Sequence, residues 1–251
     1  MNNSLTIFFP CYNDAATIGS LVMTADVVAN EYTSDYEIIV VNDGSGDKSL
    51  EILSALKEKY PRLRVISHER NLGYGAALQT GFSSAGKELI FYTDGDGQYD
   101  VFELRKLLAG MRDDLDVING YKISRTDPLY RVIAGKMYLL ITKLLFNFRI
   151  RDIDCDFRLI RRSAMQTIRL HHTSGVICLE LVKKLELAGY RFGEVAIHHY
   201  SRRYGNSQFF KPYRLLVTCL NVLRLWWELI ILRDTPTHVA CRRDSVNSTI
   251  V

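Results

Sequence analysis

Short apolar runs punctuate the first half of the chain: Leu5-Thr6-Ile7-Phe8-Phe9, Tyr36 to Val41, Arg64-Val65-Ile66-Ser67, Leu89 to Thr93 and Asp116 to Tyr121. Each is bounded by turn residues, which predicts buried strands. Between them, apolar residues recur at helical spacing. Ile18, Leu21, Val22, Ala25 and Val28 form one face, and Ile52, Leu53 and Leu56 another. A small-residue helix ending near Ser84 and a helix over Val101 to Met111 follow. Asn13 or Asp14 is placed to cap the first helix. Alternating strands and helices predict an α/β fold with a doubly wound, mostly parallel sheet and right-handed connections. Three strands, the first, second and fourth, end in polar loops. Parallel strands would bring these loops to one sheet edge, where ligands of such folds bind.

Beyond Tyr121 the rhythm changes. A long helix is predicted from Pro128 to Phe148, apolar at Val132, Ile133, Met137, Leu140, Ile141, Leu144, Leu145 and Phe148. A loop at 151–156 enters a strand, Val176 to Leu187 reads as a helix carrying Glu180, and Arg191 to Tyr200 as extended. Tyr213 to Leu232 is apolar apart from Arg214, Thr218, Asn221, Arg224 and Glu228, which fall on one helical stripe. Three charges argue against a spanning helix and favour an interfacial helix or an oligomer contact. The expected organisation is a domain over 4–210, divided into halves at 4–121 and 122–210, then an amphipathic helix over 211–233 and a disordered tail over 234–251.

Charge adds an asymmetry to this picture. The formal net charge of +4 combines an acidic first half, with 10 Lys+Arg against 18 Asp+Glu in residues 1–120, and a basic second half. A basic half suits an anionic partner: a phosphate, a membrane surface or a nucleic acid. No nucleic-acid motif accompanies it. Cys11, Cys155, Cys178, Cys219 and Cys241 contain no CxxC pair, so neither a zinc site nor a disulfide framework is expected, and a reducing, cytoplasmic setting fits. The first residues lack the basic and long apolar stretches of a signal peptide.

The chemistry concentrates in Asp94-Gly95-Asp96-Gly97-Gln98. Asp94, Asp96 and Gln98 offer hard oxygen atoms, which suit Mg²⁺ or Mn²⁺ with substrate phosphates as further ligands. Gly95 and Gly97 permit close backbone approach. A solvated turn would use the same residue types.

Taken together, the loops resemble family 2 glycosyltransferases of the GT-A fold, in the branch around dolichol- and polyprenyl-phosphate sugar transferases. Pro10-Cys11-Tyr12-Asn13-Asp14 is similar to Pro-x-Tyr-Asn-Glu, and Val41-Asn42-Asp43-Gly44-Ser45 to Val-Asp-Asp-Gly-Ser. Asn71-Leu72-Gly73, with Gly75 and Ala77, matches the stretch before the fourth strand, and Asp94 to Gln98 matches Asp-x-Asp-x-Gln. Asp152 to Arg158 resembles Asp-x-x-Cys-Gly-Phe-Arg, with Asp156 standing where Gly is usual. Arg202, Gly205 and Ser207 resemble Arg-x-x-Gly-x-Ser. The resemblance covers residues 4–210.

It implies an inverting transfer of a sugar from a GDP- or UDP-sugar to an acceptor, with Mg²⁺ or Mn²⁺ as cofactor. Pro10, Tyr12, Asp14, Asn42, Asp43, Asn71, Gly73, Asp94, Gly95 and Asp96 would bind the nucleotide sugar. Asp94, Asp96 and Gln98 would hold the metal. Asp152 would act as base or acceptor orienter, with Asp154 and Asp156 able to share the role, and Arg202, joined by Arg203, would meet a phosphate. Lys122, Arg125 and Arg131 form a second basic group. The expected acceptor is a polyprenyl or dolichyl phosphate met by peripheral contact with the cytoplasmic membrane face. Two alternatives use the same fold: a soluble hydroxyl acceptor, or nucleotide binding without catalysis. A nicotinamide enzyme would need the third glycine that Gly73-Tyr74-Gly75 lacks.

Overall fold

The structure, a computed structural model, describes residues 4–124, 129–202 and 212–232. Among these, seven strands form one sheet: β1 (Leu5–Cys11), β2 (Tyr36–Asn42), β3 (Leu63–Ser67), β4 (Leu89–Thr93), β5 (Val117–Ser124), β6 (Phe157–Arg161) and β7 (Phe192–His198). Their order is β3-β2-β1-β4-β6-β5-β7. β1 pairs in parallel with β2 and β4, β2 with β3, and β5 with β7. β6 runs antiparallel to both neighbours. Arg125, Arg203, Gly205, Ser207 and the 234–251 tail lie outside the described residues.

β1, β2 and β4 are buried along their whole length, as strands covered on both faces require. On one face Leu5, Ile7, Phe9, Ile38, Val40, Leu89 and Phe91 pack against α1 (Ile18–Tyr32), Leu53 of α2 (Ser49–Lys59) and Leu104 and Leu107 of α4 (Leu104–Gly110). On the other, Phe8, Ile39, Val41, Ile90 and Tyr92 meet α3 (Tyr74–Ser84) and α7 (Ile177–Leu187). Each fully buried Leu, Ile or Phe side chain contributes about 1.5–3 kcal/mol of transfer free energy.

The predicted inward face of α1 is buried at every named position. Its predicted side-chain cap is not made. Thr17 and Ile18 donate instead to the Asp14 backbone carbonyl, both at 3.0 Å. The helix predicted over Val101 to Met111 opens with a 3₁₀ turn over Val101–Glu103, where the Asp100 carboxylate caps Phe102 N at 2.9 Å.

The long helix is α5 (Leu129–Phe146). A short α6 (Arg162–Met165) follows β6. The last helix, α8 (Pro212–Trp226), runs on into a π-helical turn over Trp227–Ile231. Val222, Leu225 and Leu229 pack into a third core cluster with Phe146, Phe148, Leu179 and Val182. Part of the polar stripe is docked rather than free: Asn221 Nδ2 donates to Ser174 Oγ at 3.4 Å, and Glu228 lies 3.4 Å from His172 Nε2. No described helix is long and apolar enough to cross a membrane.

Candidate active site

The parallel direction of β1, β2 and β4 places residues 12–17, 43–48 and 94–98 at one edge. The first two loops are stitched together. Asn13 N donates to Ser45 Oγ at 3.0 Å, Gly46 N to Asn13 Oδ1 at 2.8 Å, Asp14 N to Ser49 Oγ at 3.1 Å and Ala15 N to Asp47 Oδ2 at 3.1 Å. The third loop joins them through Thr17 Oγ1, which donates to the Gly95 carbonyl at 2.7 Å. Gly95 passes so close that a Cβ there would stand 2.6 Å from the Pro10 carbonyl. Tyr12, 46% exposed, projects from this platform as a free aromatic face.

Asn42 and Asp43 build the wall. Asn42 is buried, with Oδ1 accepting from Ser45 N at 3.2 Å. Asp43 is 2% exposed. Its Oδ1 accepts from Leu72 N at 2.9 Å and lies 2.7 Å from His68 Nδ1, and its Oδ2 accepts from Gly73 N at 3.0 Å. His68 Nε2 in turn meets Thr80 Oγ1 at 2.9 Å. Asp43 therefore fixes the backbone of the Asn71-Leu72-Gly73 turn, leaving Asn71 exposed.

That turn delivers Tyr74, whose hydroxyl donates to Asp94 Oδ1 at 2.7 Å. Burial, then the charges of Asp156 and Asp96, push the Asp94 carboxyl well above the usual range. Asp14 rises to about 6, chiefly through burial; the Tyr12 N–H, at 3.0 Å from its Oδ2, opposes this. Asp96 accepts from Gln98 N at 3.0 Å through Oδ1 and pairs with Arg202 Nη2 through Oδ2. Gln98 Nε2 donates to the Tyr200 carbonyl at 3.0 Å, tying the loop to the segment that carries Arg202.

Asp14, Asp94, Asp96, Gln98 and Arg202 are thus brought together. Among the described residues, no three His, Cys, Asp or Glu side chains close around one point as a metal cage. A half-buried carboxylate at Asp94 with its ionised form disfavoured, beside a second at Asp96 already holding a cationic group, is a donor set that suits a hard divalent cation sharing substrate oxygens.

The acceptor-side residues form a separate cluster. Asp152, 6% exposed, accepts from Lys122 N at 3.3 Å through Oδ2, and Lys122 Nζ lies 3.7 Å away. Burial lifts Asp154 to about 6, Lys122 opposing. Arg158, fully buried, ties the loop down through Asn119 Oδ1 at 2.6 Å, Asp156 Oδ1 at 3.0 Å, the Tyr92 hydroxyl and the Ile153 carbonyl. Glu180 is structural: its carboxylate accepts from His171 N and His172 N and pairs with Lys184 at 2.6 Å. The sequence did not point to Tyr74 or His68. The position of Tyr74 directly after Asn71-Leu72-Gly73 was the available signal.

Residues 6–169 match the family model described as "Glycosyl transferase family 2". The chain is 28% identical over 228 residues to an undecaprenyl-phosphate 4-deoxy-4-formamido-L-arabinose transferase of Salmonella choleraesuis (strain SC-B67), covering 88% of this chain and 68% of that protein. It is 26% identical over 237 residues to the protein of the same name from Yersinia pestis (strain Pestoides F), covering 94% and 69%. Among solved structures, glucosyl-3-phosphoglycerate synthase from Mycobacterium tuberculosis, in complex with Mn²⁺, UDP and phosphoglyceric acid, superposes with a TM-score of 0.68 at 15% identity, covering 90% of this chain and 78% of that one. The same enzyme with UDP gives 0.68 at 14% identity, covering 90% and 79%. These structures share the fold, and the match over residues 6–169 establishes that the chain belongs to glycosyl transferase family 2.

Proposed function

We propose that the chain transfers a sugar, with inversion, from a nucleotide-sugar donor to a polyprenyl phosphate at a membrane surface. The observation that carries this reading is the assembly of Tyr12, Asp14, Asp94, Asp96 and Arg202 at one sheet edge. The names of the Salmonella and Yersinia relatives support the acceptor class. Residues 4–121 would serve the nucleotide sugar and 122–210 the acceptor.

Tyr12 supplies a flat exposed surface for the base. Asp43 serves the nucleoside at one remove, by holding the Leu72–Gly73 backbone in place. Pro10, Gly95 and Asn42 shape the floor along which the nucleotide lies. Asp94 and Asp96, with Gln98, would hold Mg²⁺ or Mn²⁺, which supplies Lewis-acid stabilisation of a departing diphosphate. Arg202, paired with Asp96, can turn its remaining donors to a phosphate oxygen. A phosphate acceptor is already anionic, so Asp152 and its partner Lys122 orient the acceptor rather than deprotonate it.

The membrane contact draws on α5 and α8. Met137, Leu140, Ile141 and Leu144 on α5, and Leu220, Leu223 and Trp227 at α8, are all more than half exposed. Apolar side chains at helical spacing in a basic half suit the interface of an anionic bilayer.

Asp96→Ala tests the donor site. With undecaprenyl phosphate and a panel of UDP- and GDP-sugars, its turnover should fall by about 10²–10³-fold while the melting temperature holds. Unchanged turnover would remove the site from the mechanism.

A further inference from the structure

β7 ends at His198, but the chain beyond it stays zipped to the segment that follows β4. Tyr200 N donates to the Gln98 carbonyl at 2.8 Å, and Gln98 Nε2 donates back to the Tyr200 carbonyl at 3.0 Å. His199 forms an antiparallel bridge with Tyr99, their rings edge to face at 5.0 Å. Two residues back along one segment and two forward along the other, Asp96 pairs with Arg202. One antiparallel register therefore carries Arg202 to the end of β4.

Glu103 closes the other end of this zipper. It stands in the 3₁₀ turn after the loop and takes two donors from one residue. Its Oε2 accepts from His198 N at 2.8 Å, and its Oε1 lies 2.6 Å from His198 Nδ1. A carboxylate only accepts, so Nδ1 carries the proton. Lys106 Nζ adds a third contact at 2.8 Å. Charge-assisted hydrogen bonds are the strong ones. Two from one residue fix the orientation of His198 as well as its position. The Glu103 side chain is 11% exposed, so water competes little for it.

The gripped segment buries little of its own surface. Tyr200 is 45% exposed and the His198 side chain 43%. A segment with so few buried contacts opens readily unless polar contacts hold it. The partners of Glu103 are His198 and Lys106, not Asp94, Asp96 or Arg202. Whatever it does for the site, it does through the 198–202 segment.

We propose that Glu103 is a positioning residue: by gripping His198 it keeps 198–202 in register with the loop after β4, so that Arg202 meets the phosphates of the donor. This deepens the glycosyltransferase reading and rests on it. Calorimetry of UDP and GDP with Mn²⁺ on the full chain tests it as a double-mutant cycle. Glu103→Ala should weaken the tighter nucleotide by about tenfold, as should Arg202→Ala. Adding Glu103→Ala to Arg202→Ala should change affinity by less than about twofold, because both changes remove the same contact. A purely structural carboxylate would cost as much in either background. Hydrogen exchange on the nucleotide-free chain reads the grip itself: the Tyr200 amide should exchange severalfold faster in Glu103→Ala.

Three results would overturn the proposal: nucleotide affinity unchanged in Glu103→Ala, losses that simply add in the double variant, or an Arg202→Ala chain that binds as tightly as the wild type. Should Glu103→Ala fail to fold, His198→Ala carries the same cycle, since that side chain lies largely in solvent. A wild type that binds neither nucleotide sinks the glycosyltransferase reading and the role of Arg202 with it. Unchanged exchange at Tyr200 sinks the grip alone, a distinct outcome.

Discussion

Asp43 shows how one carboxylate can shape a site through the backbone it holds. It ties the end of β2 to the turn before α3, and that turn hands Tyr74 to Asp94. Tyr74→Phe removes the donor to Asp94 and leaves the ring packed. Mn²⁺ affinity with UDP present should fall by about 3–10-fold, read by calorimetry, with little change in melting temperature; an unchanged affinity would make Tyr74 a packing residue. Glu37 gives a pH prediction at the same scale. Burial raises its carboxyl, but Gly86 N at 2.7 Å, Arg64 at 2.6 Å and Thr6 at 2.8 Å outweigh that and hold it below its ordinary value. A carboxyl depressed in the folded state stabilises above its unfolded value and loses that contribution as pH falls through the folded one. Urea midpoints should therefore drop below about pH 4.5, and less steeply in Glu37→Gln; parallel curves would contradict the assignment. The sequence shows a carboxylate at 37, 43, 94 and 96, because residue type is written there. Which backbone N–H groups each carboxylate meets depends on strand register, which is not.

At the scale of elements, the helices and strands follow apolar periodicity closely, because a buried face enforces it. Leu21, Val22 and Ala25 of α1 are buried as their spacing predicts. The helix start is less legible: Asp14 contributes its carbonyl rather than its side chain, since its carboxylate is drawn to Tyr12 N in the site. α5 is a clearer departure. Met137, Leu140, Ile141 and Leu144 carry helical spacing yet face outward, while Thr142 is buried. Periodicity reports that a helix has an apolar face, not what covers it. Packing of α3 on the sheet offers a test. Gly81 lies against the Phe8 ring, where a Cβ would come within 2.4 Å. Gly81→Ala should cost about 1–3 kcal/mol in chemical denaturation, because a filled core resists added volume. A neutral effect would mean that α3 can shift on the sheet.

Across the whole molecule, the doubly wound sheet and the common edge of three loops were readable from the alternation of elements. The reversal of β6 was not, because nothing local distinguishes a strand's direction. That reversal sets Arg158 opposite Tyr92 and Phe157 opposite Thr93, so the chain before β6 enters beside the end of β4. The proposed membrane contact combines the basic second half with the outward apolar side chains of α5 and α8. Vesicles containing anionic lipid should therefore co-sediment the chain, and Leu144→Glu with Leu223→Glu should reduce that fraction severalfold without loss of fold; equal binding would place the contact elsewhere. The central claim is a sugar transfer directed by the carboxylates at the end of β4. Purified chain, undecaprenyl phosphate and radiolabelled nucleotide sugars test it most directly. The account predicts label in the lipid phase with at least one donor, dependent on Mn²⁺ or Mg²⁺ and lost in Asp96→Ala. Label that forms equally well in that variant, or a folded chain that transfers nothing from any donor, would contradict it.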